Sequence, residues 1–444
     1  MKGLLPRRRF LRDTAAIGGA LSLGACTQVS SEEASEDITT HKYHPLDGVV
    51  PEKLKITDVT VSLLSYALPK DKQWVSATFL VPKTDCCLVR VYTDQGIVGL
   101  GESSPYGGML AMKDYIEQVI KPNIVGLNPF DISLISAGGN SFMEACAWAG
   151  VDVACWDIIG KAKNRPVYEL LATDHEPETH IRMYASSGVE YAWYDRPEAL
   201  IDKALEHKEA GYTAMKYRIG TDWEANNITV DDFIPLIRKL REAVGDDFDL
   251  MQENNMRLNL EQCLELAPVI EDLNILWWEE PVNRRAEGAL EEHIKLSEAL
   301  DKVLISGGET MENRFVFKAW IDRDAYGIVQ PDCNTTGITE GWHIARMAHL
   351  KGKPCCPHNW HGGLTTMGNA HLVAGIPNRL MLELNQTFNP FKEEIFKDPM
   401  VVVNGYMDLP DKPGYGVELI DDIEQKYPFI EGGWAITNPY LPKS

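Results

Sequence analysis

Glu253, Glu279 and Glu309 lie 26 and 30 residues apart, each at or near the end of a short apolar run with strand character. A helix-length amphipathic stretch separates each pair, so the three carboxylates recur at the same edge of a parallel β/α barrel, the edge where barrel active sites form. Converging in a partly dry pocket, they would repel one another unless a hard divalent cation neutralised them. An all-oxygen donor set suits Mg2+, and one ion per subunit is the expectation.

More reactive side chains end the neighbouring runs. Side chains alternate faces along a strand, so residues two apart point the same way. Lys216 and Arg218 therefore share a face, as do Glu253 and Asn255. Further along, Gln330-Pro331-Asp332, Cys355-Cys356-Pro357-His358 and Met381-Leu382-Glu383 close three later runs. Any one carboxylate at a strand end is more often a helix cap, and a lone histidine is more often structural. Coincidence on seven successive strands is what makes a site.

The elements that must position these groups form a rhythm. Strands are predicted to begin near Arg182, Ala214, Phe248, Ile275, Val303, Tyr326, Lys353 and Leu380, with helical periodicity between them, clearest over Leu260–Leu273, Ala289–Leu300 and Ile338–Leu350. Eight such units make a modified (β/α)8 barrel over residues 179–388. Before it, 53–178 reads as an α+β capping domain: alternating strand patterns from Ile56, a turn at Asp94-Gln95-Gly96, then helices over Leu110–Ile124 and Phe142–Lys163. The tail, 389–444, is rich in Pro and Gly, adds no ninth unit and is expected to return to the cap.

The first 26 residues belong to targeting. Arg7-Arg8-Arg9-Phe10-Leu11-Arg12 precedes a short apolar stretch, Ala15–Ala25, which reads as a twin-arginine signal peptide and is too short for a membrane-spanning helix. Leu23-Gly24-Ala25-Cys26 matches a lipoprotein cleavage box, which would lipidate Cys26 and anchor the protein to a membrane; residues 27–52 then form a polar tether. Export to the periplasm follows from either reading. The other eight cysteines have no zinc spacing and are expected to be inert core thiols. A net charge of −22 excludes a nucleic-acid partner but not a small anionic substrate beside a bound cation.

With these residues placed, the chain resembles the enolase superfamily, in the mandelate racemase-like branch that includes acid-sugar dehydratases. The resemblance runs from about 54 to about 440 and also rests on Gly101-Glu102-Ser103-Ser104-Pro105, on Val151–Ala162 and on Pro413-Gly414-Tyr415-Gly416-Val417-Glu418. It implies Mg2+ on Glu253, Glu279 and Glu309, with His358 and Asp332 as the general-base dyad. Lys216 and a protonated Glu383 would support the substrate carboxylate, and Asn255 a substrate hydroxyl. A homo-oligomer is implied as well.

That assembly abstracts the proton α to a carboxylate, and donors aimed at the developing enediolate lower its cost. The resemblance is to sites already described as a Lys or His base working with Mg2+. Two residues depart from the family pattern. Glu253 stands where Asp is common, and Arg218 replaces the second lysine of a Lys-x-Lys pair. Arginine is a poor proton acceptor near neutrality, which counts against racemisation and favours dehydration of an aldonate or aldarate to a 2-keto-3-deoxy acid. An epimerase or cycloisomerase, and a non-catalytic sugar-acid-binding lipoprotein, are the rival readings. Lys72 and Trp74, in the capping segment Leu68–Trp74, are candidate substrate-binding residues, with the loop Pro105–Gly108 beside them.

Overall fold

The computed structural model describes residues 43–76, 79–131, 139–189, 196–219 and 228–438. The signal peptide, Cys26 and most of the tether lie outside them. Among the described residues no helix is long and apolar enough to cross a membrane.

The cap is built on an antiparallel sheet in which Lys83–Thr93 is the middle strand, paired on one side with Ile56–Ala67 and on the other with Val98–Ser103. Against it lies the helix Phe142–Lys163. Ser141 starts this helix by accepting the Glu144 N–H, and Asn164, at φ 52°, ends it in the left-handed conformation. The helix is buried on nearly every face because the sheet covers one side and the barrel helix Cys333–His349 the other. Close approach to the sheet needs glycine: a Cβ at Gly101 would lie 2.1 Å from the Gly150 carbonyl oxygen.

Asp152 ties the cap to the barrel. Its Oδ2 accepts the Ile338 and Thr339 N–H groups at 2.7 and 3.1 Å, and its Oδ1 accepts the Thr339 hydroxyl at 2.5 Å. Gly337, at φ 70°, kinks the barrel helix and exposes those N–H groups; a Cβ there would meet Asp152 Oδ2 at 2.5 Å.

The barrel strands are His180–Ser186, Ala214–Arg218, Asp249–Glu253, Trp277–Glu279, Leu304–Gly307, Ile328–Val329 and Leu382–Asn385, all parallel, with the last returning to pair with the first. Cys355 supplies the eighth stave, bridging Val329 on one side and Arg379 on the other, and so closes the ring. Helices fill the intervals, and two of them, Val230–Val244 and Leu260–Asp272, begin with reciprocal capping boxes at Thr229/Asp232 and Asn259/Gln262.

The tail after residue 389 is more structured than its composition predicts. Phe391, Ile395, Phe396, Ile423 and Tyr427 pack against Leu64, Cys86, Leu88 and Leu100 of the cap sheet. A hairpin, Val402–Val403 with Tyr406–Asp408, pairs antiparallel with the start of the first barrel strand. Farther on, Ile436–Thr437 adds a strand to the small capping hairpin Trp74–Ser76/Phe79–Val81. All eight described cysteines are buried and unbridged, and burial pushes their thiols up, away from reactivity.

Candidate active site

The barrel interior shows how the sequence aims its reactive groups. Tyr184, Ala214, Met251, Trp277, Ile328, Cys356 and Met381 form one apolar layer inside the ring. The residue two positions further along each strand is Ser186, Lys216, Glu253, Glu279, Gln330, His358 or Glu383. Period-two alternation thus stacks a polar layer directly on an apolar floor, at the C-terminal rim.

Within that layer Glu253, Glu279 and Glu309 offer oxygens that all lie within 4.8 Å of one another. The set is all-oxygen, two of its members are fully buried, and it fits a hard cation. Glu279 also accepts from Gln330 Nε2 at 2.6 Å and Trp277 Nε1 at 3.2 Å. Its neighbour Glu280 turns away to Arg284, 3.2 Å from its Nε.

Lys216 is wholly buried and its ammonium lies 2.5 Å from Glu279, 3.0 Å from Glu383 and 3.2 Å from Glu253. Burial alone would lower its pKa, but the three carboxylates outweigh that and keep it charged. Arg218 reaches Glu253 at 3.0 Å and lies over the Trp360 ring, 4.3 Å from its centroid.

These cations set the carboxylates apart. Burial raises Glu279 to about 7, with Lys216 opposing and the charges of Glu253 and Glu383 adding to it. Glu253 is equally buried, yet Arg218, Lys216 and His358 hold it well below the ordinary carboxylate range. Glu383 likewise sits below that range despite burial, because Lys216 and His358 face it, and its Oε2 accepts the Asn359 N–H at 2.9 Å. The resemblance gives Glu383 the support of the substrate carboxylate, and here it stands 3.0 Å from the Lys216 ammonium, the other group with that role.

Opposite the triad, His358 Nδ1 is 2.7 Å from Asp332 Oδ2, and its Nε2 faces Glu309 at 3.2 Å. Asp332 is buried but lies far below the usual carboxylate range, because His358 hydrogen-bonds to it and His361 Nε2 faces it at 3.5 Å. Its Oδ1 accepts the Asn334 N–H at 2.8 Å and Asn369 Nδ2 at 3.2 Å. Burial opposes charge on His358, and with no ion in the cluster Glu309, Glu383 and Asp332 overcome it and raise its pKa; a cation held by Glu309 would offset the largest of these charges and free Nε2 to accept a proton. The arrangement pairs an imidazole nitrogen aimed into the pocket with a carboxylate that fixes its tautomer.

The remaining predicted residues fare differently. Asn255, at φ 47°, donates to Glu253 Oε1 at 3.1 Å and so braces a triad carboxylate. Trp74 is buried against Trp360, edge to face at 5.7 Å, and lines the cavity over the site. Lys72 sits in the short turn Lys70–Lys72, exposed, with its ammonium 3.9 Å from Asp71, and is not among the residues lining that cavity. The turn ends before the strand that carries Trp74 inward, so of the two only Trp74 lines the cavity.

Sequence reasoning missed Trp360, His361 and Trp434, which line the cavity beside Tyr106 and Asn385. His361, three residues after His358, carried a sequence signal. Trp434 carried none, since its contacts with Tyr106 and Phe79, at 4.4 and 5.0 Å between ring centroids, depend on the tail's return.

Fold and site together define a cap-and-barrel protein with a carboxylate triad and a His–Asp pair at the barrel's C-terminal rim. Residues 61–172 match the mandelate racemase / muconate lactonizing enzyme N-terminal domain, and residues 199–423 match the enolase C-terminal domain-like family. The chain belongs to the enolase superfamily, in its mandelate racemase-like branch. It is 30% identical to the arabinonate dehydratase of Saccharolobus solfataricus over 76% of this chain and 89% of that protein, and 28% identical to the D-galactarolactone cycloisomerase of Agrobacterium fabrum over 83% and 97%. Among solved structures, an enolase superfamily member from Polaromonas sp. JS666 superposes with TM-score 0.75 at 30% identity, covering 85% of this chain and 99% of that one.

Proposed function

We propose that the protein is a Mg2+-dependent acid-sugar dehydratase that converts an aldonate or aldarate to its 2-keto-3-deoxy acid. One observation carries the reading: the His358–Asp332 pair lies against the Glu253–Glu279–Glu309 cluster, with His358 Nε2 3.2 Å from Glu309. The names of several similar proteins support it, among them the arabinonate dehydratase above and a D-xylonate dehydratase of Haloferax volcanii, 29% identical over 86% of this chain and 90% of that protein.

Glu253, Glu279 and Glu309 would hold the ion, which when bound supplies Lewis-acid stabilisation of negative charge on the substrate carboxylate. Lys216 donates to that carboxylate from the second strand, and Arg218, fixed over Trp360, presents its guanidinium fork to carboxylate or hydroxyl oxygens. His358 Nε2 removes the α-proton while Asp332 holds the Nδ1–H and stabilises the imidazolium that forms. The capping aromatics Trp74 and Tyr106 exclude water above the reacting carbons. Arg218 offers no second base, so the enediolate loses its β-hydroxyl rather than being reprotonated on the opposite face.

The test is a panel of C4 to C6 aldonic and aldaric acids with Mg2+, in which keto acid is trapped with semicarbazide. Keto acid from at least one member, abolished by His358→Asn, supports the reading. Deuterium uptake at C2 without keto acid makes the protein an epimerase, and tight binding without either makes it a binding protein. We also propose export by the twin-arginine route with lipidation at Cys26, which the arginine run and the small-residue box support. Membrane fractionation of wild type and Cys26→Ala decides between an anchored and a soluble exported protein. A symmetric homo-oligomer is our expectation from the family, and light scattering measures it.

A further inference from the structure

Asp332 serves two histidines. Besides His358 Nδ1 at 2.7 Å, its Oδ2 faces His361 Nε2 at 3.5 Å, and both rings are buried. His361 is not an incidental neighbour. Its turn is fixed from the cap by Glu102, whose buried carboxylate accepts the Gly362 N–H, the Thr365 N–H and the Thr365 hydroxyl at 3.1, 3.1 and 3.0 Å. A Cβ at Gly362 would lie 2.6 Å from that carboxylate, so the turn tolerates no side chain there. The ring of His361 packs under Tyr106, with centroids 5.0 Å apart, and lines the cavity with Trp360, Trp74 and Asn385.

Loss of a β-hydroxyl needs a proton donor, because hydroxide is a poor leaving group. The groups of the site and of the adjoining cavity differ sharply in their ability to give one. Arg218 does not release a proton near neutrality, and Lys216 is held by three carboxylates. Burial pushes the Tyr106 phenol up. His358 has just accepted the α-proton. Lys83 also lines the cavity but is committed to Asp85 at 3.1 Å and to the Ile430 carbonyl at 2.6 Å. His361 is the cavity-lining residue that lies within 3.5 Å of the dyad carboxylate.

Resting on the dehydratase reading, we propose that His361 is the general acid for the departing β-hydroxyl, so that Asp332 orients a base and an acid at once. The C2–H bond breaks with its proton going to His358. The electron pair then forms the C2–C3 double bond as the C3–O bond breaks, and the leaving oxygen takes a proton from His361 and departs as water. In the enol-to-ketone step C3 takes the proton back from His358, and the enol O–H proton restores His361.

The test uses the aldonate turned over fastest in the panel, its 3-deoxy-3-fluoro counterpart, and the Mg2+-loaded variants His361→Asn and His361→Gln. Fluoride leaves without a proton, so only dehydration should need the acid. Expected for the variants is a fall in keto-acid formation of about 100-fold or more, with deuterium from D2O appearing at C2 of recovered substrate and fluoride release within about 5-fold of wild type. Equal losses on both substrates, or loss of C2 exchange along with dehydration, would make His361 a positioning residue and overturn the proposal, as would undiminished dehydration. The wild type provides a check that needs no variant: its solvent isotope effect should be larger for dehydration than for fluoride release, and equal effects overturn the proposal. A wild type that yields no keto acid from any panel member removes the dehydratase reading itself, which is a distinct result.

Discussion

Replacing Asp332 by Asn probes the dyad through a conflict that the structure makes specific. Asp332 Oδ1 accepts the Asn334 N–H and Asn369 Nδ2, while Oδ2 accepts His358 Nδ1–H. An asparagine can satisfy only one side. If its oxygen keeps the Asn334 and Asn369 donors, its NH2 faces His358 and forces Nδ1 to accept, which places the proton on Nε2 and leaves no base. If it flips to hold the working tautomer, two buried donors face an NH2 group. Each unsatisfied buried donor costs about 1–3 kcal/mol, so the active tautomer is disfavoured by about 2–6 kcal/mol. At about 1.36 kcal/mol per tenfold, dehydration should fall by about 30-fold to about 10⁴-fold. The assay is keto-acid release with Mg2+ saturating, alongside C2 deuterium exchange. Both should fall together, since the base acts first, and the isosteric change should leave the melting temperature nearly unaltered. Turnover within about threefold of wild type, or exchange preserved while dehydration falls, would refute the reasoning.

Three further outcomes follow from other parts of the molecule. Arg218→Lys restores a second group able to accept a proton, and should produce measurable C2 epimerisation of recovered substrate in D2O where wild type shows none; unchanged stereochemistry would mean that Arg218 does not face the reacting carbon. Asp152→Ala leaves the Ile338 and Thr339 N–H groups and the Thr339 hydroxyl without their acceptor, and should lower stability in denaturant by about 3 kcal/mol or more, with a loss below about 1 kcal/mol counting against a cap–barrel tie. His371 is fully buried; burial lowers its pKa to about 3, and its Nδ1 accepts the Tyr168 N–H. Its folded-state pKa lies below the unfolded value of 6.5, so its contribution is intact above pH 6.5 and is lost as pH falls toward 3, by about 2 kcal/mol at pH 5. His371→Asn, whose amide oxygen can accept the same N–H, should therefore lose less stability than wild type between pH 7.5 and 5; parallel melting curves would contradict this.

Much of the site was legible because its logic is local. Period-two alternation places Glu253 above Met251 and His358 above Cys356, and both steps can be read along the chain. The barrel strands begin close to the predicted points for the same reason. What escaped depends on residues far apart in sequence. Trp434 meets Tyr106 only because the tail returns and pairs with the capping hairpin. The eighth stave is a bridge at Cys355, too short to carry a pattern. Lys72 and Trp74 are two residues apart and alternation would put them on one face, but the turn Lys70–Lys72 breaks the strand between them. The downward shift of Glu383 follows from an ammonium supplied by Lys216 on another strand, which no local pattern displays.

The central claim is that three carboxylates hold a cation opposite His358 and that turnover needs it. The most direct measurement is keto-acid formation by protein stripped with EDTA, then titrated with Mg2+, for wild type and Glu279→Gln. The account predicts no product without metal, full recovery on Mg2+ addition to wild type, and little or none for the variant. Undiminished turnover after stripping, or recovery in Glu279→Gln at the same Mg2+ concentration as wild type, would contradict it.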